Sequence, residues 1–364
     1  MKSNLTRRSL LQAGAVAATR LTAAEPPSLN LPKQVRFALI GLEAHYVTAA
    51  NVAAASSQLQ LVGATAPEEV VKARAKSDPG LAKVKRYDDF RKMLDVEKPD
   101  VVGICNENGL HAATAVACAE RGIHVIVEKP LATTLDQLAA LKQAAAQHKT
   151  SVMVQLGSRY GAAYRTMRAL IAEDEIGEPV AIGAQKSYKL GLTASARPEW
   201  MRRRSSWGGS ILYAGIHMID LMRFTSGREY TEVGAFQSTI GDPAIGDLEN
   251  NCAIIYKLDN RGTANLRTDY LRPESAPTHG DDRLRIIGTK GVIEHTDAGT
   301  TLINGKGSQK VTDSAPPILS EFPDFLSSIY NGAKSLVSPA DVWRVSDVAI
   351  RTQMAAEGSR MMKL

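Results

Sequence analysis

One short apolar stretch, Val-Ile-Val at 125–127 followed by Glu128-Lys129-Pro130, constrains the fold of this chain most strongly. It lies between two segments with the composition of helices, 112–121 and 134–147, and threonines precede the second as natural N-caps. An apolar strand between two helices belongs to a parallel sheet, and such sheets bind ligands at the carboxyl ends of their strands. We therefore expect Glu128 and Lys129 to lie at a ligand site.

The same alternation of strands and helices extends over much of the first half of the chain. It predicts six strands, at 35–41, 59–64, 86–87, 100–105, 125–127 and 151–155. After about residue 157, strands follow one another from 232 to 303 without helices, and two helices, 322–333 and 340–361, close the chain. The expected fold class is α/β plus α+β: a Rossmann-like doubly wound parallel sheet followed by an open antiparallel sheet.

A length of 364 residues suits two domains. We expect a leader and linker at 1–33, a dinucleotide-binding domain at 34–157 and a substrate and oligomerisation domain at 158–364. Residues 6–11, Thr-Arg-Arg-Ser-Leu-Leu, form a twin-arginine pattern before a short apolar run and small residues that end near Ala24. This pattern predicts export to the periplasm or secretion. The apolar run is too short for a stable membrane anchor.

The leader also explains most of the basic charge. The chain carries a net charge of +6, and residues 1–24 contain four cationic side chains and no acid, so the remainder carries about +2. A nucleic-acid partner is therefore not supported. The three cysteines, Cys105, Cys118 and Cys252, are scattered, and we expect buried free thiols.

The first strand ends at Gly41, where a dinucleotide-binding chain would have a Gly-x-Gly-x-x-Gly loop. Glu43 and Tyr46 occupy the positions of the second and third glycines, and Thr65 ends the second strand where an acid would hold a ribose. A carboxylate about 4 Å from a phosphate charge costs roughly 1 kcal/mol in water and roughly 4 kcal/mol near a protein surface. By itself this loop is poor support for a dinucleotide.

Several motifs further along the chain occur together in one known family. They are Asn-Gly-Leu-His at 108–111, Glu-Lys-Pro-Leu at 128–131, Gly-Gly at 208–209, and Gly-Ile-His-Met-Ile-Asp at 215–220. From about residue 34 to the C-terminus, their order and spacing resemble the glucose–fructose oxidoreductase/inositol dehydrogenase (Gfo/Idh/MocA) family. The resemblance implies NAD or NADP as cofactor, a sugar or cyclitol as substrate, and a homo-oligomer formed through the open sheet.

The resemblance also implies roles for individual residues. Lys129 and His217 match the conserved catalytic lysine and histidine, and a histidine with a pKa near 6.5 suits the removal of a hydroxyl proton. Tyr213 stands where the family usually has an aspartate, and we include it in the catalytic set. The candidate cofactor-binding residues are Gly41, Leu42, Asn106, Asn108, His111, Glu128 and Lys129. The candidate substrate-binding residues are Arg159, Tyr160, Lys186, Arg197, Trp200 and His217.

No metal is expected, since His45, His111 and His124 do not have the spacing of metal ligands. Three functions remain. The favoured one is an exported NAD(P)-dependent oxidoreductase acting on a hydroxyl of a sugar, sugar acid or cyclitol. A redox-cycling NAD-dependent glycoside hydrolase is favoured by Tyr213, but the intact Lys129 counts against it. A non-catalytic carbohydrate-binding protein is favoured by Glu43, Tyr46 and Thr65, but the retained lysine and histidine count against it.

Overall fold

The computed structural model describes residues 28–43, 45–76, 81, 83–189, 199–240 and 246–364. Its first sheet has six parallel strands in the order β3-β2-β1-β4-β5-β6. The strands are β1 Val35–Ile40, β2 Leu59–Thr65, β3 Arg86–Tyr87, β4 Val101–Ile104, β5 His124–Val127 and β6 Val152–Val154. This order reverses between β1 and β4, and it is the order of a Rossmann fold, so the predicted doubly wound sheet is confirmed.

Helices connect these strands and cover both faces of the sheet. They are α1 Tyr46–Ala55, α2 Glu68–Ala75, α3 Phe90–Glu97, α4 His111–Ala119 and α5 Leu135–His148. The Asp89 side chain caps α3, and the Thr134 side chain caps α5 by accepting a hydrogen bond from the backbone N–H of Gln137. All four residues of β4 are buried, which is why that strand is apolar throughout instead of alternating.

The second sheet has nine strands in the order β14-β13-β12-β11-β7-β10-β9-β8-β15. The strands are β7 Pro179–Tyr188, β8 Tyr230–Ser238, β9 Asn251–Leu258, β10 Thr263–Asp269, β11 Gly280–Gly288, β12 Gly291–Thr296, β13 Gly299–Asn304, β14 Gly307–Val311 and β15 Met361–Lys363. The predicted separate sheet is confirmed, although it is mostly rather than wholly antiparallel. β7 and β10 run parallel, which is possible because the long segment between them includes a helix and two further strands.

Two strands of this sheet were not expected from the sequence. β14 has a polar sequence without alternating apolar residues, and it lies at the edge of the sheet. β15 follows the last helix, which ends at Gly358 rather than at 361 as predicted. The helix ends there because Ser359 adopts a left-handed conformation, and Met361–Lys363 then pairs with β8.

Three helices cover the inner face of the second sheet: α6 Ala162–Ala172, α7 Ile216–Ser226 and α9 Pro339–Gly358. A fourth, α8 Glu321–Tyr330, packs instead on the Rossmann side, against α1 and, through Phe322, against Phe37 of β1. A capping box formed by Ser338 and Asp341 begins α9. The outer face remains open, and five large apolar side chains on it are exposed: Phe236, Ile255, Ile287, Ile303 and Met361.

None of the helices within the described residues is long and apolar enough to cross a membrane. Cys105, Cys118 and Cys252 are buried and free, as the sequence predicts. The predicted leader at 1–24 lies outside the described residues.

Candidate active site

A polar cleft of about 400 Å³ lies between the carboxyl ends of β5 and β6 and the inner face of the second sheet. Its first wall comes from the Rossmann side and includes His45, Glu128, Lys129, Gln155, Gly157 and Ser158. Its second wall comes from the second sheet, the segment between β10 and β11, and α7 with the turn before it. It includes Lys186, Tyr188, Tyr213, His217, Tyr270, His279 and Asp282. The cleft also contains Glu321, the first residue of α8.

Glu128 and Lys129 leave the end of β5 as a buried pair of opposite charges. The ammonium nitrogen of Lys129 lies 3.4 Å from Oε1 of Glu128, and the same oxygen accepts a hydrogen bond from Nδ1 of His45 at 2.7 Å. Burial raises the pKa of Glu128, but Lys129 and His45 outweigh that effect and lower it. Oε2 of Glu128 is buried without a hydrogen-bond partner among the described residues. Glu128 is therefore an anion with one oxygen unused.

The aromatic ring of Tyr213 packs against the side chain of Lys129. The Lys129 ammonium lies 3.1 Å from the centre of the tyrosine ring, and the Trp207 ring packs on the same tyrosine at 4.9 Å. Tyr213 belongs to a π-helical turn, Ile211–Gly215, that leads directly into α7. Such turns are rare and occur frequently at functional sites. The contact holds the Lys129 side chain by a cation–π interaction from the opposite wall.

His217 is the second residue of α7, and its imidazole lines the cleft. Its Nδ1 atom is buried and has no hydrogen-bond partner among the described residues. Burial lowers the pKa of His217 well below 6.5, and the ammonium groups of Lys186 and Lys129 lower it further. The imidazole is therefore neutral at physiological pH, and a neutral imidazole can accept a proton.

Lys186 supplies a second buried cation from β7. Its ammonium lies 2.6 Å from Oδ2 of Asp282 on β11, because these two residues are directly paired in the sheet. Burial lowers the pKa of Lys186, although Asp282 opposes this shift. Next to this pair, the rings of Tyr188 and His279 stack at 5.0 Å. The second wall thus offers cations, a carboxylate and aromatic faces to a polar molecule.

The loop after β1 tests whether a dinucleotide fits the first wall. Gly41 has φ +78°, and a Cβ atom there would lie 2.4 Å from the backbone N of Asn106, so only glycine fits. Burial raises the pKa of Glu43, which favours its neutral form, although Arg74 opposes the shift. The tight turn at the point where the strand order reverses therefore fits a dinucleotide.

The cofactor candidates Leu42, Asn108 and His111 do not line the cleft. Leu42 is buried. Asn108 donates a hydrogen bond to the backbone carbonyl of Trp207 at 2.9 Å. The buried ring of His111 lies between two backbone carbonyls, with Nδ1 2.7 Å from Pro130 O and Nε2 3.0 Å from Asn106 O. Asn108 and His111 therefore hold the segments that carry Lys129 and Trp207.

Three substrate candidates do not line the cleft. Arg159 is buried, and its guanidinium binds Asp220 through two hydrogen bonds, at 2.7 and 2.6 Å, and Asp341 at 3.0 Å. Tyr160 donates a hydrogen bond to Asp324 at 2.7 Å. Trp200 packs on a small apolar cluster around Trp207. The guanidinium of Arg159 is thus engaged by two carboxylates away from the cleft, and its expected substrate contact stays a prediction. Arg197 lies outside the described residues.

Among the ionisable residues of the cleft that were not expected there are His45, Asp282 and Glu321. They come from a loop, a strand and a helix that are distant in the sequence, and none belongs to a recognisable motif. The register of β7 and β11 brings Asp282 to Lys186. Among the described residues, no group of three or more metal-binding side chains is close enough to hold an ion.

Comparisons with known proteins agree with this architecture. Residues 35–156 match the model of the oxidoreductase family with an NAD-binding Rossmann fold, and residues 164–294 match the GFO/IDH/MocA C-terminal domain. The chain is similar to a protein from Thermotoga maritima described as a candidate oxidoreductase. The two are 31% identical, with a TM-score of 0.82, over 91% of this chain and 100% of that one.

Two curated relatives come from Bacillus subtilis (strain 168). The scyllo-inositol 2-dehydrogenase (NAD(+)) is 27% identical over 85% of this chain and 90% of its own length. The uncharacterized oxidoreductase YrbE is 25% identical over 63% of this chain, and the match spans 64% of its length, just under two thirds. Both domain models and the nearly complete structural match lead to one conclusion. The chain belongs to the Gfo/Idh/MocA family of oxidoreductases.

Proposed function

We propose that this protein is an NAD(P)-dependent dehydrogenase that oxidises a secondary hydroxyl of a sugar, sugar acid or cyclitol. The observation that supports this best is the meeting of Lys129, Tyr213 and His217 in one cleft at the carboxyl ends of β5 and β6. The inositol dehydrogenase relative supports the substrate class. The backbone at Gly41 and Leu42 would hold the dinucleotide at the diphosphate, and Glu128 and Lys129 would hold it at the nicotinamide end.

When bound, a nicotinamide dinucleotide supplies a two-electron acceptor. The residues of this chain manage the proton of the alcohol. His217 is neutral, so it accepts the proton from the reacting hydroxyl. The ammonium groups of Lys129 and Lys186 stabilise the negative charge that develops on the oxygen as the proton leaves. Their carboxylate partners, Glu128 and Asp282, keep both cations in place.

The walls of the cleft suit a molecule with several hydroxyl groups. Lys186, Asp282 and His279 provide donors and acceptors on one side, and Gln155 and Ser158 provide them on the other. Tyr188 offers a ring face against which the C–H groups of a sugar or cyclitol ring can pack. A mixture of polar groups and an aromatic face favours a polyhydroxylated ring over an apolar alcohol.

The test is the formation of reduced cofactor at 340 nm, with NAD+ or NADP+ and a panel of inositols, aldoses and sugar acids. Lys129→Ala and His217→Asn are expected to lower kcat/KM at least a hundredfold. Lys142→Ala, which changes an exposed lysine on α5, is the matched control and is expected to leave the rate unchanged. Full activity in folded Lys129→Ala would rule out the assigned role of Lys129.

We also propose that the chain is exported by the twin-arginine route and that residues 34–157 and 158–364 form its two domains. The pattern at 6–11 supports export. Expression of the full chain in a bacterium with a twin-arginine system is expected to place the mature protein in the periplasm. An Arg7→Lys/Arg8→Lys variant is expected to stay in the cytoplasm. Equal periplasmic amounts of the two proteins would contradict this proposal.

A homo-oligomer formed through the outer face of the second sheet is the proposed assembly. Met361, Gly234 and Ile255 are neighbours across three strands, and Met361 and Ile255 are more than half exposed. A monomer rarely leaves such a patch in water. Ile255→Glu is expected to reduce the mass measured by light scattering to that of a monomer. Val96→Glu, at an exposed position on α3, is the control and is expected to have no effect.

A further inference from the structure

Glu321 is an ionisable residue of the cleft that the proposed proton transfer does not use. It begins α8, and only 6% of its surface is exposed. Its Oε1 atom accepts a hydrogen bond from the backbone N–H of Leu156, immediately after β6. Its Oε2 atom lies beside Gly157, 3.6 Å from the position that a Cβ atom would occupy there. The carboxyl group is therefore fixed at the carboxyl end of β6, within the cleft.

The surroundings of Glu321 favour its neutral form. Burial raises its pKa to about 8, the Leu156 N–H opposes this, and the negative charges of Glu128, Asp220 and Asp324 add to the increase. A neutral carboxyl group has an O–H donor as well as acceptor oxygens, whereas a carboxylate has acceptors only. At neutral pH, Glu321 thus offers the cleft a hydrogen-bond donor.

The position of Glu321 in the sheet indicates which ligand receives this donor. In a Rossmann fold the diphosphate crosses the sheet where the strand order reverses, and the acid that binds the adenosine ribose follows β2. The nicotinamide half of a bound dinucleotide would therefore lie over β4, β5 and β6. Glu321 and Gln155 are at the end of β6, whereas Lys186, Asp282 and His217 face the cleft from the other wall. Glu321 is thus on the cofactor side of the cleft.

This inference depends on the proposed function and deepens it. We propose that Glu321 donates a hydrogen bond from its neutral carboxyl group to the carbonyl oxygen of the nicotinamide carboxamide. The carboxamide has one acceptor and one NH2 group, and a neutral carboxyl group has a donor and an acceptor side by side, so the two are complementary. Glu321 then fixes the orientation of the ring relative to His217, and a glutamine at this position preserves both kinds of contact.

The experiment compares NADH with ADP-ribose, which has the same adenosine, diphosphate and ribose but lacks the nicotinamide. Binding is measured by NADH fluorescence and by displacement of NADH with ADP-ribose, on the full chain and its variants. Glu321→Ala is expected to weaken NADH binding about tenfold and to change ADP-ribose binding less than twofold. Glu321→Gln is expected to bind both ligands within about threefold of the parent protein.

A second measurement does not require the alanine variant to fold. The infrared carbonyl band of a protonated carboxyl group, identified by its loss in Glu321→Gln, is expected to shift when the parent protein binds NADH and to stay in place with ADP-ribose. Equal loss of affinity for both ligands in Glu321→Ala, or a band that does not respond to NADH, would overturn the inference while leaving the proposed function intact. A parent protein that binds neither NAD(H) nor NADP(H) would overturn the proposed function itself.

Discussion

The ammonium nitrogen of Lys129 lies 3.1 Å from the centre of the Tyr213 ring, and this contact joins the two walls of the cleft. Lys129 comes from the end of β5, whereas Tyr213 comes from the π-helical turn that leads to His217. The ring of Tyr213, rather than its hydroxyl group, makes the contact with the cation. The residue that departs from the family pattern therefore positions the lysine.

This geometry predicts different effects for two substitutions of Tyr213. Tyr213→Phe keeps the ring and is expected to retain kcat/KM within about threefold. Tyr213→Ala removes the cation–π contact, worth about 1–2 kcal/mol at a buried site, and is expected to lower kcat/KM about tenfold or more. Steady-state kinetics with the best substrate of the panel checks both. Loss of activity in a folded Tyr213→Phe would instead assign a chemical role to the hydroxyl group and would favour the glycosidase alternative.

The pH dependence of the reaction provides a second prediction. His217 must be neutral to accept a proton, and its pKa is lowered well below 6.5 by burial and by Lys186 and Lys129. The acid limb of the kcat/KM profile is therefore expected below pH 6.5. In Lys186→Gln one ammonium charge is lost, the pKa of His217 rises, and the limb moves to higher pH. Lys306→Gln, at an exposed turn, is the control. An unchanged limb in Lys186→Gln would show that another group titrates.

Glu43 gives a third prediction, which concerns cofactor affinity. It stands where dinucleotide-binding loops have glycine, and burial already favours its neutral form. Glu43→Gln removes the remaining charge and is expected to tighten NADH binding about fivefold at low salt, equivalent to about 1 kcal/mol. The gain should shrink as salt is added. Glu68→Gln, at an exposed position on α2, is the control. Weaker binding in Glu43→Gln would mean that the carboxylate contacts the ligand favourably.

Glu321 provides a prediction about the stability of the ligand-free protein. Its pKa is about 8 in the folded state and 4.5 when exposed, so the folded state binds more protons between these values. Stability contributed by this group is therefore complete below pH 4.5 and is lost progressively as pH rises to about 8. Glu321→Gln is expected to raise Tm by several degrees more at pH 9 than at pH 5. The exposed Glu120→Gln is the control, and an equal gain at both pH values would contradict the shift.

The Rossmann half of this fold could be predicted from the sequence because its strands are short apolar runs between helices. The second sheet was harder to predict. β14, Gly307–Val311, is polar and lies at an edge, so its pairing comes from β13 rather than from its own composition. β15 is only three residues long and exists because α9 ends beside β8. Local sequence does not determine either pairing.

Local motifs predicted the site residues at strand ends and on α7. They did not predict the residues that reach the cleft through pairing of strands or packing of helices distant in the sequence. Lys129 and His217 lie in motifs, Tyr213 lies two residues before one, and the structure brings the three together. Asp282 reaches Lys186 only through the pairing of β11 with β7, and Glu321 reaches the cleft only because α8 returns to the end of β6. The ion pairs of Arg159 could not be predicted either, because its partners, Asp220 and Asp341, are more than 60 positions away.

The Arg159–Asp220 pair has a consequence for reading related sequences. Asp220 lies three residues after His217, in a motif usually associated with catalysis. Its carboxylate, however, is buried against the guanidinium of Arg159. That guanidinium also binds Asp341 at the start of α9. Removing one member of such a pair would leave an uncompensated buried charge. A descendant that had lost its chemistry would still need this pair to fold. The aspartate therefore reports a shared architecture, whereas the roles proposed for Lys129 and His217 concern the chemistry.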